Sequence, residues 1–209
     1  MKKKVAIIGA GGLGREIAAL MKALPEEFEI TGFYDDTVPV GTTLLAIPVR
    51  GAIDKLRSAS GPIHVIVAIG DPQIKQKIIS SLPSHIQYPV VIHPSVVLGD
   101  KSTISLGQGT VLTAGVKLTV DITIGDHVLI NLNSTIGHNT SIGNLCSIMP
   151  GVNLAGGVTL GERVLIGSGA NVINRVSIGD DAKVGSGAVV LNNILAKTTA
   201  VGVPARTLK

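Results

Sequence analysis

The chain has 209 residues, enough for one large domain or two small ones, and its pattern changes near residue 90. Its net charge is +4, but the lysines and arginines are scattered and only 2% of residues are aromatic, which excludes a stacking platform for nucleic acid. With no apolar run of the roughly 18–20 residues that cross a bilayer, too short an apolar start for a secretion signal and a single cysteine, the sequence predicts a cytoplasmic protein without membrane insertion.

Residues 5–8, Val-Ala-Ile-Ile, read as a buried strand, and residues 15–21 have the composition and apolar spacing of a helix. Between them lies Gly9-Ala10-Gly11-Gly12-Leu13-Gly14, a GxGxxG turn in the strand-to-helix setting that phosphate binding requires. Backbone amides around Gly11, Gly12 and Leu13, at the positive end of a helix, are candidate ligands for phosphate oxygens. A second strand at 29–34 ends at Asp35 and Asp36, and the interval from Gly14 to Asp35 suits a carboxylate that grips a ribose or a base. A third strand at 63–69, a helix at 72–82 and a last strand at 88–92 complete the first domain. That length builds one mononucleotide-sized half of a doubly wound fold, which favours a nucleoside diphosphate over NAD.

From residue 91 the period changes. Twelve aliphatic residues stand six apart: Ile124, Ile130, Ile136, Ile142, Ile148, Leu154, Leu160, Ile166, Val172, Ile178, Val184 and Val190. Neither a helix nor an ordinary strand has this repeat, so each unit is one side of a triangular parallel β-solenoid. Small or aliphatic residues two positions earlier, Cys146 among them, complete a narrow stacked core. Glycine follows many anchors, for example Gly125, Gly137 and Gly143, where a sharp corner or close backbone approach favours a missing Cβ. Asn131 takes that position once, and asparagine tolerates left-handed geometry. Upstream, Leu98, Ile104, Val116 and Ile122 keep the spacing with Thr110 as a polar interruption, and a two-residue slip between Ile122 and Ile124 implies a small insertion or a looser first coil there.

The GAGGxGRE-type start, the Ile92-His93-Pro94-Ser95 junction, the stretch Ile136-Gly137-His138-Asn139 and the ending Val201-Gly202-Val203-Pro204-Ala205-Arg206 resemble the sialic acid O-acetyltransferase family. That family includes bacterial N-acetyltransferases of nucleotide-linked 4-amino sugars, of the UDP-4-amino-sugar (bacillosamine) and GDP-perosamine types. The resemblance implies a nucleotide-sugar-binding α/β domain over residues 1–90 and a left-handed β-helix over 91–209. It also implies a homotrimer with acetyl-CoA in the grooves between neighbouring solenoids, no metal, and products that serve surface glycan synthesis.

Carried over residue by residue, His138 matches the general base, which an amine attacking a thioester needs because it must shed a proton. Asn139 stands where many members have an acidic partner of that base, and Ser147 where some have a second histidine. Gly156 matches the glycine whose backbone N–H faces the thioester carbonyl and steadies the oxyanion. Asn131 matches an asparagine of the acceptor pocket, with a left-handed corner residue as its other reading. Ser168 and Ser186 fall where main-chain groups hold the pantetheine arm, and Pro204 and Arg206 where the tail meets the adenine end. His127 is read as pointing outward at a less characteristic position. Cys146 is read as inward-facing core, so transfer is direct and not through an acyl-enzyme.

Other readings stay open on the residues alone. They are a zinc hydrolase of the γ-carbonic-anhydrase type, a non-catalytic nucleotide-binding trimer, an O-acetyltransferase of a sialic-acid-like sugar, and an NAD-dependent oxidoreductase that takes the GxGxxG at face value.

Overall fold

The computed structural model describes residues 2–59 and 62–208. They form two compact units that divide after Pro94.

In the first unit β1 (Lys3–Ile8) pairs in parallel with β2 (Phe28–Tyr34) and, on its other side, with the strand His64–Val67. Helix α1 (Gly12–Lys22) connects β1 to β2 and buries Ile17, Ala18, Leu20 and Met21, a spacing that gives it one apolar stripe. Gly14 is required for this crossover, because a Cβ there would lie 2.0 Å from the Gly9 carbonyl oxygen. A hairpin that the sequence does not announce, β3 (Thr43–Leu44) with β4 (Ile47–Gly51), extends the sheet beyond β2. Its two-residue turn places Leu45 and Ala46 at φ 51° and 60°, a conformation normally signalled by asparagine or glycine. With β5 for His64–Val67, the sheet order is β3-β4-β2-β1-β5. A short helix α2 (Asp54–Arg57) and a longer α3 (Pro72–Ser80) follow. The latter is started by Asp71, whose carboxylate accepts from the Gln73 and Ile74 amides, with Pro72 at the first position. The strand expected at 88–92 as the last of this domain shrinks to Val91–Ile92 and is not part of this sheet.

The second unit is a triangular solenoid of parallel two- and three-residue strands. Each strand pairs with the equivalent strand of the next coil, as in Leu129–Ile130 with Ser147–Ile148 and Thr135–Ile136 with Asn153–Leu154. The three faces carry the strands of Ile130, Ile136 and Ile142, and we refer to the edge between the Ile136 and Ile142 faces as the His138 edge. From Ile124 to Val190 the anchors and the residues two before them are buried, as predicted, whereas the upstream Leu98 and Ile104 are only half-buried. Polar members of the core follow one rule: Thr110, Ser134, Thr140 and Cys146 each donate to a carbonyl of the following coil, those of Gly125, Met149, Ala155 and Gly161.

Two corner expectations change. Left-handed residues recur every six positions from Gly109 to Gly187 without interruption, but they stand three after each anchor and not one after it. Asn133 is therefore left-handed at φ 57°, while Asn131 is not. The glycine directly after an anchor serves the other purpose, close approach: a Cβ on Gly137 would lie 2.6 Å from the Gly156 amide nitrogen. The predicted slip between Ile122 and Ile124 is absent. Leu106, Leu112 and Leu118 are the true upstream anchors, and the extra length is absorbed earlier, in the coil that leads from Leu98 to its partner Leu118. A 3-10 turn at Lys101–Thr103 takes it up.

Candidate active site

His138 and Asn139 follow the anchor Ile136 on the exposed His138 edge. Asn139 occupies the left-handed corner position at φ 57°, which asparagine accepts more readily than most residues. Its Oδ1 lies 2.8 Å from His138 Nδ1. A carboxamide oxygen can only accept, so in the neutral imidazole the proton sits on Nδ1 and the lone pair is at Nε2. Asn139 thus fixes the tautomer without a negative charge.

One coil later, Gly156 lies against the ring. A Cβ on Gly156 would be 2.4 Å from His138 Nε2, so only glycine leaves room for the imidazole in this position. Two hydrogen bonds hold this step together: the Gly157 amide donates to His138 O at 2.7 Å, and the Arg175 amide to Gly156 O at 3.0 Å. The peptide between Ala155 and Gly156 has a defined orientation. Its carbonyl turns into the core and accepts from Thr140 Oγ1 at 3.4 Å, and in a trans peptide the N–H then points the opposite way, out along the edge beside Nε2. Gly137, with no Cβ, keeps that N–H uncovered. His138 Nε2 and the Gly156 N–H, which has no partner among the described residues, thus share one exposed edge, the pair of groups that takes a proton from a nucleophile and steadies an oxyanion. From the sequence Gly137 was read only as a corner or close-approach glycine and Thr140 was given no part in the site; the inward hydroxyl two before an anchor was the available signal.

The other solenoid candidates lie elsewhere. Asn131, Ser168 and Ser186 line a different edge, between the Ile130 and Ile136 faces. Asn131 is buried, with Oδ1 accepting from the Leu132 amide at 2.8 Å and from Thr113 Oγ1 at 3.3 Å. Ser168 and Ser186 are exposed and precede Gly169 and Gly187, both left-handed at φ 70°, where a Cβ would meet nothing within 4 Å. This open strip of backbone can accept a long, slender chain. Pro204 and Arg206 belong to a terminal hairpin in which Val201 pairs with Arg206, and both are exposed.

His127 departs from its expected outward exposure: it is 8% exposed, left-handed at φ 56°, on the third edge and away from His138. Among the described residues no three histidine, cysteine, aspartate or glutamate side chains converge as metal ligands. Cys146 is fully buried, its Sγ 3.0 Å from the Gly161 carbonyl oxygen.

In the first unit, Gly11 caps α1 without any side-chain hydrogen bond, and a Cβ on Gly11 or Gly12 would meet nothing within 4 Å. The amides of the first turn, including that of Leu13, have no partner within the helix, and the space beside Gly11 and Gly12 is open. Asp35 is more heavily engaged than a simple ribose ligand. Oδ2 accepts from the Ala10 amide at 2.8 Å, and Oδ1 from the Thr37 amide and hydroxyl and the Val38 amide at 2.8, 2.7 and 3.0 Å. Partial burial opposes ionisation of this carboxyl, but these four donors outweigh it and hold its pKa below the ordinary carboxylate value. Asp36 Oδ1 accepts from the Ile53 amide at 2.9 Å.

Comparison with known proteins gives the same architecture. Residues 4–82 match the PglD N-terminal domain, and residues 157–192 match the bacterial transferase hexapeptide family of six repeats. The chain is 31% identical over 167 residues to the GDP-perosamine N-acetyltransferase of Escherichia coli O157:H7, covering 78% of this chain and 75% of that protein. It superimposes on the acetyltransferase domain of PglB from Neisseria gonorrhoeae with a TM-score of 0.92 at 30% identity, covering 99% of this chain and 100% of that one. Against PerB from Caulobacter crescentus, solved in complex with CoA and GDP-perosamine, the TM-score is 0.88 at 33% identity, covering 99% and 97%. The chain belongs to the hexapeptide-repeat N-acetyltransferases of nucleotide-linked 4-amino sugars, with a PglD-type N-terminal domain preceding a left-handed β-helix.

Proposed function

We propose that this protein transfers acetyl from acetyl-CoA to the 4-amino group of a nucleotide-linked deoxy-amino sugar, in the cytoplasm, for bacterial surface glycan synthesis. The observation that carries the reading is the pairing of His138 Nε2, left bare by Asn139, with the outward Gly156 N–H in the next coil. As the amine nitrogen bonds to the thioester carbonyl carbon, Nε2 takes the proton the nitrogen must lose. The Gly156 N–H meets the carbonyl oxygen as it gains negative charge. The carbon–sulfur bond then breaks, and the imidazolium returns its proton to the departing sulfur.

The N-terminal domain, spanning 1–90 in this reading, holds the nucleotide: amides at Gly11, Gly12 and Leu13 receive phosphate oxygens, and Asp35 and Asp36 face ribose or base. The β-helix domain, 91–209, holds the coenzyme along Ser168 and Ser186 with Pro204 and Arg206 at the adenine end, and Asn131 borders the acceptor. These coenzyme candidates and His138 occupy different edges of one prism, which supports a homotrimer in which an edge of one copy faces a different edge of its neighbour. A partner also explains why His138 is exposed in the single chain.

The test is a thiol-release assay across nucleotide 4-amino sugars with wild type and His138→Ala. Loss of the base lowers kcat by about 10²–10⁴ while acetyl-CoA binding persists. Undiminished turnover by the variant refutes the assignment.

A further inference from the structure

Among the fourteen left-handed corners from Gly109 to Gly187, two carry arginine, a residue the conformation does not favour. Arg163 has an evident structural use. Its Nε and Nη2 reach both oxygens of Asp181 at 2.7 and 3.2 Å, and Nη1 reaches Glu162 at 2.6 Å. Those two carboxylates hold the guanidinium's pKa above its already high ordinary value. Arg175 has the same backbone at φ 62° but stands on the His138 edge, with Gly157 one coil before it and Asn174 beside it. Among the described residues its guanidinium makes no ion pair and no hydrogen bond. Its amide bonds to Gly156 O. Its Cγ lies 3.3 Å from where a Gly157 Cβ would be, so the first part of the side chain lies over Gly157, in the coil of Gly156.

The His138 edge therefore carries, one coil on from Gly156, an exposed guanidinium that has no ion pair among the described residues. We infer that Arg175 is a phosphate-binding residue of the transfer site, gripping a diphosphate with its planar fork. This rests on the acetyl-transfer reading, under which both co-substrates carry a diphosphate. A guanidinium cannot lose its charge near neutral pH and matches two phosphate oxygens at once, which a lysine does not.

Arg175→Asn is the informative variant, because asparagine accepts the left-handed backbone and preserves the coil; Arg175→Lys keeps the charge and loses the fork. Calorimetric titrations with coenzyme A, UDP and GDP read binding without turnover, and steady-state kinetics read KM for each co-substrate. In Arg175→Asn the affinity for one ligand class falls by about tenfold to a hundredfold and KM for that co-substrate rises with it, with an intermediate change in Arg175→Lys. A loss confined to coenzyme A assigns the diphosphate to the coenzyme; a loss confined to the nucleotides assigns it to the sugar nucleotide. Affinities for all three within about twofold of wild type overturn the inference. Turnover bears separately on the acetyl-transfer reading: an inactive wild type that binds these ligands through Arg175 removes the reading and leaves the inference standing.

Discussion

Gly156→Ala isolates the positioning of the base from its chemistry. The added methyl would sit 2.4 Å from His138 Nε2, 2.6 Å from Cε1 and 2.9 Å from Cδ2, whereas ordinary contact begins at 3.4 Å. The ring must withdraw by about 1 Å or rotate away, and a misplacement of that size costs on the order of a hundredfold in rate. Folding has no reason to suffer. Gly156 is not left-handed, the obstructing atoms belong to an exposed and movable ring, and replacing glycine by alanine at a compatible position adds about 0.4–1 kcal/mol by restricting the unfolded chain. The expected variant therefore melts at or slightly above the wild-type temperature and turns over about a hundred times more slowly. Circular dichroism melts and thiol-release kinetics on the same preparation measure both. A stable variant with kcat within about threefold of wild type would show that the ring does not work from its place against Gly156.

Cys146→Ala removes a buried thiol that donates to the Gly161 carbonyl, so it lowers stability by about 1–2 kcal/mol while leaving kcat and the absence of a burst phase unchanged; an acyl-enzyme would appear as a wild-type burst that the variant lacks. Asp35→Asn weakens the clasp on the Ala10 amide by about 1–3 kcal/mol at pH 7. Because the folded-state pKa of Asp35 is lowered, its contribution is complete above the unfolded value of about 3.9 and disappears as pH falls through the folded value. Urea melts at several pH values measure the gap between the two proteins, and a gap that does not shrink in acid contradicts this assignment.

The interior of the solenoid was legible because its period is fixed by geometry: an inward residue recurs every six positions whatever surrounds it. Where two inward rows are both apolar, sequence cannot rank them, and so Ile104, Val116 and Ile122 passed for anchors although Leu106, Leu112 and Leu118 hold that place. Corner geometry was harder to read, since glycine serves close approach at Gly137 and left-handed backbone at Gly151, two requirements with one residue type. The orientation of His138 was visible as a motif, but not the tautomer set by Asn139 or the peptide turned by Thr140, because these depend on hydrogen bonds that no spacing encodes. The turn at Leu45 and Ala46 and the burial of His127 escaped for the same reason: neighbours distant in sequence override the local preference.

Constant coil length has a consequence for how such a protein can change over generations. The turns that lead from Leu118 through Ile136, Leu154 and Val172 to Val190 are all equal, and departures fall outside this catalytic stretch: the turn from Leu98 to Leu118 is longer and that from Ile178 to Ile194 shorter. An insertion between His138 and Gly156 that is not looped out at a corner, as the extra residues near Lys101–Thr103 are, would shift the downstream strands out of register and separate base from amide. Side chains along a column can thus be exchanged without disturbing the spacing of base and amide, and in this chain the departures in coil length stand toward the ends of the prism.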